Sequence, residues 1–187
     1  NDRLEQEAIE EGRKHIPLKV GLGLNTGPCV VGNMGSDMRF DYSVLGDAVN
    51  LAARLEGQSK SYGMNVVLGP TTREAIKDRL ATIDLDFIQV KGKTEGTYIY
   101  GLMGDEEVLA DPEFLNVQKQ VSQAMEFYRT QQWDDAEYLF KSLRKMCDDE
   151  HRPWKLEVTL DVVCDLYEER IQEYKKTPPA ADWDGVF

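Results

Sequence analysis

"RFDYSVLGDAVNLAARLEG" (residues 39–57) changes its grammar halfway along. In its first part Phe40, Tyr42 and Val44 alternate with Asp41 and Ser43, the period of a half-buried strand. Gly46 interrupts the strand, and Asp47 can cap a helix that runs to about residue 62 and stops at Gly63. On that helix Asn50 and Arg54 stand four residues apart and project from one face. Around them Ala48, Val49, Ala52 and Ala53 are small and apolar, which lets a helix approach its neighbour closely. Such a pair suits a solvated surface as well as a cleft, and helical spacing alone does not choose between them.

Upstream, "NDRLEQEAIEEGRKHIP" reads as the last turns of an acidic helix. Residues 18–27 alternate as a strand that turns at Asn25–Gly27. Residues 28–35 read as a second strand, and the two are expected to form a hairpin. Downstream, residues 65–69 make a strand ending at Gly69-Pro70. Thr71 stands three residues before Glu74, the pattern of a capping box opening a helix. "IDLDFIQVKG" and "TYIYGLM" are two strands joined by the basic loop "KGKTEG". The first hundred residues therefore mix strands and helices, an α/β (α+β) pattern.

After "GDEEVLADP" only helical periodicity remains, up to residue 176. Phe114, Val117, Val121, Ala124, Met125 and Tyr128 form one apolar stripe. Trp133, Ala136, Phe140, Leu143 and Cys147 form a second. A third, expected on a helix starting near Pro153, comprises Leu156, Leu160, Val163, Leu166, Tyr167 and Ile171. Two domains are expected: residues 1–104, carrying the α/β pattern, and a helical tail over 105–187.

The net charge of −12 argues against a nucleic-acid or anionic-membrane partner. No apolar run is long enough to span a bilayer, and no direct membrane contact is expected. Cys29, Cys147 and Cys164 are expected to be reduced, buried thiols acting as small hydrophobes. His15 and His151 have no neighbours at zinc-ligand spacing. The glycine-rich stretch "GLNTGPCVVGNMG" fits neither a Rossmann fingerprint nor a P-loop. Lys91 and Lys93, at the tip of a predicted hairpin, suit an anionic ligand in an otherwise acidic chain.

In order along the chain, N-T-G, G-N-M-G-S, F-D-Y-S-V-L-G-D, N-x-x-x-R and V-K-G-K resemble the class III nucleotidyl cyclase catalytic domain, over roughly residues 15–103. The resemblance implies a ferredoxin-like catalytic domain whose N-terminal part is missing here. It implies conversion of a nucleoside triphosphate to the 3′,5′-cyclic monophosphate and pyrophosphate. Asn50 matches the residue that orients the ribose, and Arg54 the one that stabilises charge at the α-phosphate. Lys91 matches the lysine for the terminal phosphates, and Ser43 stands where the purine is read. Arg39 and Asp47 are counted with the substrate-binding residues. A hydroxyl reads the base weakly by itself, but Ser43 resembles the family's hydroxyl-bearing subgroup, which implies ATP and hence an adenylate cyclase in cyclic-nucleotide signalling; a guanylate cyclase or a catalytically silent nucleotide-binding module are the alternatives.

The family holds two divalent ions, Mg²⁺ or Mn²⁺, on aspartates upstream of the matching region. No metal ligand is therefore expected in this chain, which should be inactive by itself. A second cyclase domain, in a homodimer, is the implied partner that completes the site. In the tail, Ala124, Tyr128, Trp133, Ala136 and Phe140 resemble one tetratricopeptide-type hairpin. The ending "YEERIQEYKKTPPAADWDGVF" is similar to that of bacterial CHASE2-type receptor cyclases. That similarity implies a cytoplasmic location, as the cytosolic output region of a membrane-anchored receptor.

Overall fold

A computed structural model describes residues 1–36, 39–89, 96–147, 152–154, 158–180 and 182–186, with the side chains of residues 36, 39 and 40 left aside. In chain order it contains α1 (Asp2–Glu10), β1 (Leu22–Leu24), β2 (Val30–Ser36), β3 (Arg39–Leu45), α2 (Asp47–Gln58), β4 (Val66–Leu68), α3 (Pro70–Ile76), β5 (Ala81–Gln89) and β6 (Gly96–Gly104). The helices α4 (Glu106–Leu109), α5 (Pro112–Arg129), α6 (Trp133–Met146) and α7 (Asp161–Lys176) follow. The mixed α/β architecture and its helical C-terminal region match the expected class.

Four strands form one sheet in the order β1-β4-β6-β5, and β2 pairs with β3 as a separate ribbon. The expected hairpin of β1 with β2 is not formed. β1 instead runs parallel to β4, with Leu22 opposite Val66 and Leu24 opposite Leu68. Parallel neighbours need a crossover rather than a tight turn, and α2 lies on that crossover. β2 runs antiparallel to β3, with Gly32 opposite Ser43.

Other local expectations also change. Gly46, not Asp47, is the N-cap of α2, and Asp47 lies in the first turn without capping the backbone through its side chain. There its charge still faces the positive end of the helix dipole. The helix proper ends at Gln58, and Met64 N donates to Ser59 O as the chain turns through Gly63 into β4. The Thr71–Glu74 capping box is not made. α3 starts two residues earlier, with Pro70 at its first position and Gly69 as N-cap. Proline's fixed φ is already helical and its missing N–H needs no partner there.

The third long helix starts at Asp161 rather than near Pro153. Ahead of it the buried Trp154 indole donates to Val158 O at 2.7 Å, as does Arg152 Nη1 at 3.0 Å. These side chains take a carbonyl that a helix would pair along its own axis. Leu156 and His151 lie outside the described residues. Cys147 and Cys164 are buried as expected, and burial pushes the Cys164 thiol up to about 12, so it packs as a protonated hydrophobe. Cys29, against expectation, is exposed.

One core joins sheet and tail. It runs from Leu55 through Val67, Ile83 and Ile99 to Phe114, Tyr128, Phe140 and Ile171. Phe140 stacks on Tyr167 at 4.7 Å, and Tyr128 meets Tyr167 edge-on at 4.8 Å. The periodic stripes of α5, α6 and α7 supply these contacts.

The tail also covers the β5 edge. An uncovered edge strand presents unpaired carbonyls and amides. Here Gln118 Nε2 donates to Thr82 O at 2.6 Å and Tyr167 Oη to Leu85 O at 2.8 Å. Leu85 is the extra residue of a bulge, since Asp84 pairs with Tyr100 and Asp86 with Ile99. Ser122 Oγ adds a bond to Asp84 at 2.8 Å.

Beside the bulge, Asp86 Oδ2 accepts from both Tyr62 Oη and Arg170 Nη1, each at 2.6 Å. The Arg170 and Asp86 side chains are only 7% and 2% exposed. Burial works against the Arg170 charge, but the Asp86 carboxylate outweighs it and the guanidinium pKa is raised. Burial, then the adjacent carboxylate, raises the Tyr62 pKa and keeps its hydroxyl a donor.

Tyr167→Phe removes the bond to Leu85 O while keeping the ring stack, so a loss of about 1 kcal/mol is expected in a urea titration. Phe140→Ala, which opens the same stack, is expected to lose about 3–5 kcal/mol.

Candidate functional site

The candidate site is built on α2, and backbone chemistry fixes where that helix starts and lies. Gly46 has φ +155° and ψ 157°, a region essentially restricted to glycine. A Cβ there would stand 3.0 Å from Pro28 O and 3.3 Å from Cys29 Cα. The chain can therefore turn from β3 into α2 while passing close under residues 28–29. At the other contact, a Cβ on Gly23 of β1 would lie 2.1 Å from Ala52 O and 2.3 Å from Glu56 N. The α2 backbone thus rests directly on β1. Asn25 Nδ2 then donates to Ala48 O at 3.1 Å, tying the end of β1 to the first turn of the helix.

Leu51 and Leu55 bury the inner face of α2. Asp47, Asn50 and Arg54 follow one another at spacings of three and four on another face. Asp47 and Asn50 are exposed and Arg54 is half-buried. Asn50 and Arg54 are about 6 Å apart along the axis, four residues of helical rise. Neither side chain has a hydrogen-bond or ion-pair partner among the described residues. Ser43 lies on β3, half-buried and four residues before the helix.

The structure thus places Asp47, Asn50 and Arg54 along one line, with Ser43 on the strand leading into it. Arg39 is at the start of β3, opposite Ser36, with its side chain outside the description. Lys91 and Lys93 lie outside the described residues, in the six-residue interval between β5 and β6.

Sequence reasoning treated Asn25 only as part of a turn. Its signal was the N-T-G tripeptide after a strand, but its role as a tie to α2 depends on a contact 23 residues away.

An amide, a guanidinium and a hydroxyl offer donors to an oxygen-rich anion, and the guanidinium fork suits phosphate oxygens. Among the described residues no group of three or more His, Cys, Asp or Glu side chains could hold a metal ion. Among the same residues no helix is long and apolar enough to cross a membrane.

Residues 3–104 match the family described as the adenylate and guanylate cyclase catalytic domain, and the chain belongs to that family. An adenylate cyclase of Anabaena cylindrica is 35% identical over 104 residues, covering 51% of this chain and 20% of the relative. An adenylate cyclase of Mycobacterium tuberculosis is 42% identical over 97 residues, covering 52% and 20%. The chain thus spans about a fifth of the length of these two relatives. Among solved structures, the adenylyl cyclase CyaB from P. aeruginosa overlaps 54% of this chain and 50% of its own, at 33% identity and a TM-score of 0.46.

Gly46→Ala is expected to destabilise the protein by about 1–3 kcal/mol in denaturant titration, because the β3–α2 turn is closed to other residues. Gly57→Ala meets nothing within 4 Å. It should be neutral or stabilising by about 0.5–1 kcal/mol, the ordinary helical gain over glycine.

Proposed function

We propose that this chain supplies the ribose- and phosphate-contacting part of an adenylate cyclase site, which converts ATP to 3′,5′-cyclic AMP and pyrophosphate. The observation that carries the reading is Arg54. It is a half-buried guanidinium, aligned with Asn50 and unpartnered among the described residues. The chain has 34 Asp and Glu against 22 Lys and Arg. In such a chain an arginine without an acidic partner is set aside for a ligand. Family membership and relatives named adenylate cyclase support the same reading.

In this reaction the ribose 3′-oxygen attacks the α-phosphorus in line. The O3′–P bond forms as the bond from the α-phosphorus to the oxygen bridging the β-phosphate breaks. Pyrophosphate leaves, and the 3′-hydroxyl loses its proton. Positioning and charge stabilisation dominate phosphoryl transfer of this kind. The Asn50 amide holds the ribose so that its 3′-oxygen lies on the line of attack. The Arg54 guanidinium donates to the α-phosphate oxygens as charge builds there, a contact stronger in the transition state than in the ground state.

Ser43 contacts the purine, Lys91 the terminal phosphates, and Arg39 and Asp47 complete the substrate contacts. Mg²⁺ or Mn²⁺ ligands are assigned to protein outside this chain, and no step here depends on them. The partner is a second cyclase domain in a homodimer. Exposed apolar side chains on the β2–β3 ribbon, with Val30, Val31 and Leu45 among them and Tyr42 77% exposed, support such a contact. Residues 1–104 form the catalytic portion and 105–187 a tail that supports it, in the cytosolic output region of a membrane-anchored receptor.

The test is cyclic AMP formation by the full-length protein. Arg54→Ala and Asn50→Ala should each lower turnover by at least about tenfold, as loss of a transition-state contact does. Both positions lie off the core, so the thermal midpoint should hold. Near-normal turnover in Arg54→Ala would overturn the role given to it.

A further inference from the structure

Arg170 lies on α7 in the helical tail, yet its contacts lead to the turn that follows the helix carrying the candidate site. The bonds from Arg170 Nη1 and Tyr62 Oη converge on one oxygen, Asp86 Oδ2. Tyr62 closes the turn that follows α2, and Tyr62 N is itself bonded to Gln58 O, the last residue of the helix. Asp86 lies on β5, five residues before Lys91. At the other end of α7, a Cβ on Gly63 would stand 2.8 Å from the Val162 side chain, so α7 also presses on the connection from α2 to β4. The Arg170 guanidinium lies 5.3 Å over the Tyr167 ring, and the Tyr167 hydroxyl fixes the bulge at Leu85.

The burial of this group bears on its role. A buried ion pair gives little net stability over well-packed apolar side chains, because desolvation offsets the attraction. What it does supply is direction. The shared carboxylate oxygen holds the end of α2, the β5 bulge and α7 in one relative placement.

We propose that Arg170 is a positioning residue: through Asp86 and Tyr62 it sets where α2 holds Asn50 and Arg54. The inference rests on the cyclase reading above. It gives the helical tail a part in turnover that its sequence does not reveal. A displacement of about 1 Å in a group that contacts the transition state is enough to slow a reaction by up to about a hundredfold. Substrate binding, spread over the whole nucleotide, is less sensitive.

The experiment uses full-length Tyr62→Phe, Arg170→Met and Arg170→Lys. Tyr62→Phe keeps the buried ring and removes only the bridging hydroxyl, so it decides the matter if Arg170→Met fails to fold. In Tyr62→Phe and Arg170→Met, kcat for cyclic AMP formation should fall at least about fivefold, with KM for ATP within about twofold of the unmodified protein. Arg170→Lys, which keeps a charge beside Asp86, should recover part of kcat. Without nucleotide, amide exchange over residues 47–58 should quicken while β4 and β6 keep their protection.

Unchanged exchange over α2, or unchanged kcat in Tyr62→Phe or in folded Arg170→Met, would overturn the proposal. Failure of the unmodified protein to make any cyclic nucleotide would overturn the cyclase reading instead. The exchange measurement would then decide the coupling by itself.

Discussion

The helix α2 can lie where it does only because β1 has no side chain at Gly23. The Ala52 carbonyl and the Glu56 amide occupy the space a Cβ would fill. This contact brings helix backbone onto strand backbone, and much follows from it. The crossover through α2 lets β1 and β4 pair in parallel. The same seating leaves Leu51 and Leu55 facing inward, so Asn50 and Arg54 fall on another face. Gly46 sets the start of the helix and Asn25 holds its first turn. The helix that carries the candidate site is thus fixed by backbone packing.

The helical tail belongs to this arrangement. It shares the core of the sheet and satisfies the outward carbonyls of the β5 edge strand. Its deeply buried Arg170 meets Asp86. The sheet edge, the bulge and the turn after α2 are thereby locked by side chains from α5 and α7. Removing the tail would expose a long strand edge and strand a buried carboxylate, both unfavourable.

Much of this was legible in the residues. The strand, glycine and helix of residues 39–57 read correctly because each is set by local chemistry. The apolar stripes of α5, α6 and α7 read correctly because their period is 3.6 residues and their buried faces are continuous. Pairing was not legible, since nothing in residues 18–35 says that β1 seeks a strand more than forty residues further on. The start of α3 misled because Thr71 and Glu74 mimic a cap, whereas the preceding Gly-Pro had already begun the helix. Asp86 was hidden by its own pattern. Ile83, Asp84, Leu85 and Asp86 alternate, which puts both carboxylates on a polar face. The bulge breaks that period and buries Leu85 and Asp86 together. Its partner is 84 residues away, beyond any local pattern.

The alignment of Asn50 and Arg54 was legible from their spacing, whereas their assignment to a site came from the family resemblance of the motifs around them. Asn50 and Arg54 stand on a helix whose inner side is already filled, and among the described residues Arg54 has no carboxylate partner. In the proposed reading, purine choice rests on the hydroxyl of Ser43, a group that can donate or accept. The most direct measurement is the product formed by the full-length protein from ATP and from GTP, each supplied with Mn²⁺ and resolved by mass spectrometry. Formation of 3′,5′-cyclic AMP with an equal amount of pyrophosphate, in preference to cyclic GMP, is the expected result. Absence of a cyclic nucleotide from both substrates, or a preference for GTP, would contradict it.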